Sequence, residues 1–124
     1  MKKCPTILTV DDEIDIRNSV KQVLQDEDCF EVFTAKSGND CLKKLEKLKP
    51  DLILLDILMP GLTTKEILKE FRERKIKIPI IFLSVVRLSE TLKKDEIKGN
   101  MVDYVEKPFV NKDLVARVKK ALKM

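Results

Sequence analysis

The stretch Leu52-Ile53-Leu54-Leu55-Asp56, followed by Ile57-Leu58-Met59-Pro60-Gly61, decides the fold. Four consecutive apolar residues of strand length suit a strand covered on both faces, as inside a parallel sheet. The run ends abruptly in a carboxylate, and Met59-Pro60-Gly61 then stops regular structure. Open α/β sheets place their chemistry at the carboxyl ends of such strands. Asp56 is therefore the first candidate functional residue.

Toward the N-terminus, Thr6-Ile7-Leu8-Thr9-Val10 reads as a first strand closed by Asp11-Asp12. A helix from about Glu13 to Glu27 follows, with Ile16, Val20, Val23 and Leu24 on one face. Phe30 to Ala35 is a second strand whose partial alternation suggests a sheet edge, and Ser37-Gly38 opens a second helix. Cys41, Leu42, Leu45 and Leu48 form the apolar face of that helix, and Pro50 ends it. Beyond the central strand, Thr63 and Glu66 fit a capping box, so a third helix burying Ile67, Leu68 and Phe71 is expected there. Pro79 introduces a fourth strand, Ile80 to Ser84; Leu88, Leu92 and Ile97 mark a fourth helix ending near Gly99-Asn100. Met101 to Val105 is a fifth strand, and a last helix from about Lys112 carries Leu114, Val115, Val118, Ala121 and Leu122 inward. Five strands alternating with five helices imply one parallel sheet with helices on both faces.

Composition is consistent with this. With 124 residues, 44% of them hydrophobic and 37% charged, the chain is read as one soluble globular domain spanning residues 1–124, with no repeat, linker or output domain. No apolar run approaches the roughly 20 residues of a membrane span. Met1-Lys2-Lys3-Cys4-Pro5 leads straight toward a strand without the apolar stretch of a signal peptide, so a cytoplasmic location is expected. The net charge of +4 is spread over mixed Lys/Glu surfaces, which argues against direct nucleic-acid binding. Histidine is absent, which excludes His-containing zinc sites and Ser–His or Cys–His nucleophile pairs. Cys4, Cys29 and Cys41 lack CxxC spacing and read as reduced small hydrophobes.

If the strands are parallel, their carboxyl ends share one rim, which collects Asp11, Asp12, Asp56, Ser84 and Lys107. Three carboxylates within about 5 Å of one another repel by roughly 3 kcal/mol per pair at an effective dielectric near 20. Such a cluster calls for a cation or for one protonated member. An all-oxygen site of this kind suits Mg²⁺, which keeps waters and takes one or two carboxylates plus phosphate oxygens. Lys107 adds a positive charge able to pair with Asp56 or with an anion attached to it, and Ser84 adds a hydroxyl donor. Together they point to phosphoryl transfer onto a carboxylate. Each member alone has an ordinary reading, Asp11-Asp12 as a helix N-cap above all; their joint placement at successive strand ends carries the assignment.

These residues also resemble a known family. Val10-Asp11-Asp12-Glu13, Pro50-Asp51-Leu52-Ile53-Leu54-Leu55-Asp56, Met59-Pro60, Pro79-Ile80-Ile81, Ser84 and Asp103-Tyr104-Val105-Glu106-Lys107-Pro108-Phe109 are similar to the receiver domains of two-component response regulators, from about Ile7 to Leu122. The resemblance implies a flavodoxin-like, doubly wound sheet of order 2-1-3-4-5 flanked by five helices. It implies that Asp56 accepts a phosphoryl group from a sensor histidine kinase or phosphotransfer protein. Asp11, Asp12, Asp56 and the backbone carbonyl of Leu58 would hold Mg²⁺, and Ser84 and Lys107 would bind phosphoryl oxygens. Ser84 and Tyr104 would form the switch pair, and Lys107-Pro108 would be cis. The surface of the fourth helix, fifth strand and last helix would then be read by an effector protein, with the chain a monomer or a phosphorylation-dependent dimer.

Some positions depart from the family pattern. Thr64 stands where a glycine is usual, Val85 where a small residue follows the switch hydroxyl, and Asn100-Met101 where Gly-Ala is usual. Leu58 and Val86 flank the site and are apolar, so neither orients an attacking water and slow autodephosphorylation is expected. Two other classes compete with this reading. A binding or dimerisation module independent of phosphorylation would not need Asp11, Asp12, Asp56, Ser84 and Lys107 together. An Asp-nucleophile phosphatase would want a second Asp where Leu58 stands, and a flavodoxin-like protein a Ser/Thr/Gly-rich loop where Asp11-Asp12-Glu13 stands. The reading is thus a signalling switch, not an enzyme.

Overall fold

The computed structural model describes residues 4–27, 30–56, 64–84, 101–107 and 109–123. Five strands, β1 (Thr6–Val10), β2 (Glu31–Ala35), β3 (Leu52–Asp56), β4 (Ile80–Ser84) and β5 (Met101–Glu106), pair in parallel in the order β2-β1-β3-β4-β5. Helices α1 (Ile14–Gln25), α2 (Gly38–Lys44), α3 (Thr64–Glu73) and α4 (Asn111–Ala121) flank the sheet. The helix expected around Leu88, Leu92 and Ile97 lies outside the described residues, as do Cys29, the Thr63 cap and the Lys107-Pro108 bond.

Why β3 organises the sheet follows from its burial. All five of its residues are buried, and the side chains alternate between two cores. Ile53 and Leu55 join Leu8, Val10, Phe82, Cys41, Leu42, Ile67 and Phe71 beneath α2 and α3. Leu52 and Leu54 join Ile7, Ile81, Leu83, Val20, Leu24, Leu114 and Val118 beneath α1 and α4. A side chain of this size contributes roughly 1.5–3 kcal/mol when fully removed from water, and this strand places two on each face. Cys41 belongs to the first core; burial pushes its thiol up to about 12, helped by the neighbouring Asp40, so it packs as a small hydrophobe. The edge expected for β2 is present: Val32 and Ala35 face inward, while Glu31 and Phe33 are exposed. Lys44 from α2 donates to the outward carbonyl of Thr34, covering part of that edge.

Asp51 immediately precedes β3 and locks its start to β1 through both its backbone and its side chain. Its backbone N–H donates to the Thr6 carbonyl at 2.7 Å, and its Oδ2 accepts the Thr6 N–H at 2.8 Å. At the far side, β4 and β5 shift register once: Ile80 pairs with Met101 but Ile81 with Asp103. After that shift Tyr104 lies opposite Phe82, and Val105 opposite Leu83. Tyr104 thus packs with the first core and Val105 with the second.

Helix ends differ from the expected boundaries. α2 stops at Lys44 rather than at Pro50, with Leu45 as its C-cap, although Leu45 and Leu48 still pack on the core. Its start is as expected: Ser37 Oγ accepts the Asp40 N–H at 3.1 Å, and Asp40 Oδ2 accepts the Lys36 N–H at 3.1 Å. α4 begins one residue early, with Val110 as its N-cap, and β5 runs one residue longer, to Glu106. Ile67, Leu68 and Phe71 are buried on α3 as expected.

α3 closes with Ile76 N–H on the Phe71 carbonyl at 2.8 Å and Lys75 N–H on the Arg72 carbonyl at 3.1 Å. These are the two bonds of a Schellman cap, and they place Lys75 at φ 58°, where a Cβ is costly. Lys75→Gly is expected to stabilise the fold by about 1 kcal/mol, raising the melting temperature by roughly 3–5 °C in a thermal denaturation scan. An unchanged or lower melting temperature would contradict this account of the cap.

Candidate functional site

The register of β1 against β3 builds the site. Val10 pairs with Leu55, so the next residues along the two strands, Asp11 and Asp56, come side by side at the carboxyl rim. They share the strand phase of Ile7 and Leu52, and a one-residue slip would send one of them to the opposite face. β1 leads outward to β2 on one side and borders β3 on the other, so this rim is the point where the sheet order reverses. Asp11 is 1% exposed and Asp56 4%, both deeply buried for carboxylates, while Asp12 is exposed.

One ligand oxygen from each of Asp11, Asp12 and Asp56 lies within 4.8 Å of the others. Opposite ligands of Mg²⁺ at 2.0–2.1 Å stand about 4.2 Å apart, so this donor set is close to the span of that ion. Charge points the same way. Among the described residues the ammonium paired with these three carboxylates is that of Lys107, which leaves an excess of negative charge that a divalent cation would offset. The residues present therefore fit a magnesium site.

Lys107 follows β5 and reaches across the rim. Its Nζ donates to Asp11 Oδ2 at 2.8 Å and stands 3.7 Å from Asp56 Oδ2. The expected pairing of Lys107 with Asp56 is thus present but secondary; Asp11 is the nearer partner. Asp11 has its other groups engaged as well. Its N–H donates to the Ala35 carbonyl at 3.1 Å, its Oδ1 accepts the Glu13 N–H at 3.0 Å, and its carbonyl accepts Arg17 Nη1 at 2.7 Å. The alternative in which Asp11 and Asp12 merely cap α1 is not what forms, because Glu13 occupies the N-cap and makes no side-chain cap bond.

Of the other expected site residues, Ser84 ends β4 opposite Glu106, with its side chain outside the described residues. Leu58, Val85 and Val86 also lie outside them. Tyr104 is half-buried, its ring centroid 6.4 Å from that of Phe82. Sequence reasoning passed over Arg17, whose charge looks like any other on the surface of α1. It also passed over Arg117, which ties α4 to β5 through Asp103 at 2.7 Å and to its own helix through Asp113 at 3.0 Å. The hydrogen bond that Arg117 donates to Asp113, with the charge of Asp103, raises the guanidinium further above its ordinary range.

A five-stranded parallel sheet of this order, with three acids and a lysine at the carboxyl rim, defines the receiver class of signalling domain. The family model for the response regulator receiver domain matches residues 7–119, and the chain belongs to that family. The alkaline phosphatase synthesis transcriptional regulatory protein PhoP of Bacillus subtilis (strain 168) is 37% identical over 120 residues, covering 94% of this chain and 48% of that protein. The chain therefore spans about half the length of this curated relative. Among solved structures, the chemotaxis response regulator CheY4 of Vibrio cholerae is 33% identical with a TM-score of 0.83, covering 96% of this chain and 99% of that one. The Francisella response regulator 1452 receiver domain is 30% identical with a TM-score of 0.84, covering 96% and 97%.

Lys107 is 10% exposed and Asp11 2% by side chain, so removing the lysine strands buried charge. Lys107→Met is expected to cost about 3 kcal/mol of stability in metal-free buffer at neutral pH. Millimolar Mg²⁺ should restore part of that loss, because a cation bound only by the folded protein stabilises it. Urea unfolding with and without Mg²⁺ measures both; a loss below about 1 kcal/mol would show that Lys107 is not the counter-charge it is taken to be.

Proposed function

We propose that the chain is the phosphoacceptor receiver of a His–Asp phosphorelay, in which Asp56 accepts the phosphoryl group. The observation that carries this is the placement of the buried Asp56 carboxylate 3.7 Å from Lys107, beside Asp11 and Asp12. In the transfer an Asp56 carboxylate oxygen attacks phosphorus, the O–P bond forms, and the P–N bond to the donor imidazole breaks with its electron pair leaving on nitrogen. A carboxylate nucleophile has no proton to lose, so the step as written uses no general base. Asp11, Asp12, Asp56 and the Leu58 backbone carbonyl would hold Mg²⁺, which would supply charge neutralisation for the transferring group. Lys107 Nζ shifts toward a phosphoryl oxygen that replaces part of its present pairing, and the Ser84 hydroxyl donates to another.

The readout is a shift in the surface built by the segment around Leu88–Ile97, β5 and α4, with Ser84 and Tyr104 as the switch pair. Such an equilibrium moves only as far as the phosphoryl group favours one state over the other. A sensor histidine kinase or phosphotransfer protein is the donor in this reading, and an effector protein that reads the altered surface is the target. No helix among the described residues is long and apolar enough to cross a membrane, and a cytoplasmic setting suits a kinase partner.

Incubation with a small-molecule phosphodonor and Mg²⁺, followed by mass spectrometry, should add about 80 Da to the wild type and nothing to Asp56→Ala. A chain that stays unmodified would favour the phosphorylation-independent binding module instead. Neither Leu58 nor Val86 carries a polar group able to orient a hydrolytic water, so the aspartyl phosphate should be long-lived. Its half-life is expected to shorten severalfold in a Leu58→Asn, Val86→Glu variant; equal half-lives would refute the role given to those two positions.

A further inference from the structure

Asp12 is the least secured member of the acid cluster. It is exposed, and among the described residues its carboxylate makes no hydrogen bond or ion pair. Even so, its oxygen lies within 4.8 Å of those of Asp11 and Asp56. Its position is therefore set by the backbone, and each peptide group flanking it is pinned. The carbonyl of the Asp11–Asp12 peptide accepts Arg17 Nη1 at 2.7 Å. The N–H of the Asp12–Glu13 peptide donates to Asp11 Oδ1 at 3.0 Å, an Asx turn. The second bond comes from within the loop itself, whereas the first reaches the Asp11–Asp12 peptide from α1, so Arg17 is the side chain that fixes that peptide from outside the loop.

Arg17 is half-buried on the first turn of α1, and its backbone N–H is held by the Glu13 carbonyl at 3.0 Å. A rigid helix thus presents the guanidinium to the end of β1. Rotation of the Asp11–Asp12 peptide would swing the Asp12 Cα and carboxylate off the rim, and the Arg17 bond resists that rotation.

We propose that Arg17 is a positioning residue: by donating to the Asp11 carbonyl it fixes the Asp11–Asp12 peptide and aims the Asp12 carboxylate into the cation-binding cluster. This rests on the reading of Asp11, Asp12 and Asp56 as a divalent-cation site. The sign of the effect separates it from the obvious alternative. Arg17 is a cation near a cation site, so as a bystander charge its removal would tighten metal binding. As a positioning residue its removal loosens binding, because groups that orient a ligand typically contribute 10–100-fold to metal affinity.

The test is Mn²⁺ titration of the full chain followed by electron paramagnetic resonance, with melting curves of each variant in metal-free buffer. Arg17→Met keeps most of the apolar stem but cannot donate, and Arg17→Gln is too short to reach the carbonyl. Both should raise the Mn²⁺ dissociation constant about tenfold, while Arg17→Lys, which keeps a donor, should stay within about threefold of wild type. The Gln variant carries the measurement if the Met variant does not fold. In an Asp12→Asn background, Arg17→Gln should weaken binding no further, because the ligand it positions is already lost. Unchanged or tighter Mn²⁺ binding in the Arg17 variants, or a further tenfold loss in the double variant, overturns the proposal. Absence of saturable Mn²⁺ binding in the wild type, or an Asp12→Asn protein that binds as well as wild type, overturns the cation-site reading and the proposal together.

Discussion

Among the described residues, two carboxylates shut away from water at neighbouring strand ends share one ammonium group as their ion-pair partner. Asp11 and Asp56 are 1% and 4% exposed, and Lys107 stands between them at 2.8 and 3.7 Å. Burying such charges unpaired costs several kcal/mol each. The lysine comes from the end of β5, the acids from β1 and β3, and β4 lies between them in the sheet. The electrostatic balance at the rim therefore requires the whole strand order to be correct. It requires the phase of each strand as well, since a slip in β1, β3 or β5 would turn one of the three charges to a different face. The site is in this sense a check on the fold.

Much of the sheet was readable from the chain because strands buried on both faces leave continuous apolar runs. Leu52 to Leu55 and Ile80 to Leu83 show this best, and β2, at the edge, shows alternation instead. The order of the strands was not readable from those runs and came with the family resemblance. Helix ends were harder to place. Leu45 and Leu48 continue the apolar spacing of α2 past its last helical residue, because burial selects apolar residues whether or not the backbone stays helical. The Schellman turn at Lys75 left no glycine to mark it, and the register shift between β4 and β5 has no signature in residue type.

The acids of the rim were legible for a simpler reason: each closes an apolar strand, and parallel strands bring such ends to one edge. Asp11, Asp12 and Asp56 come together, as their places at the ends of parallel strands implied. Which carboxylate Lys107 favours was not legible, since it depends on side-chain reach across the rim rather than on order in the chain. Arg17 was missed for a related reason: its hydrogen bond goes to a backbone carbonyl, and main-chain acceptors are the same at every position. Ser84 was placed only as the end of β4.

Tyr104 has one more consequence. The chain holds a single tyrosine and no tryptophan, and that tyrosine stacks obliquely near Phe82 just before the rim. Its near-ultraviolet absorption and emission therefore come from one address, without labelling and without background from other indole or phenol rings. A shift in the polarity around that ring can be followed directly as an optical signal, which makes the unmodified protein its own spectroscopic reporter.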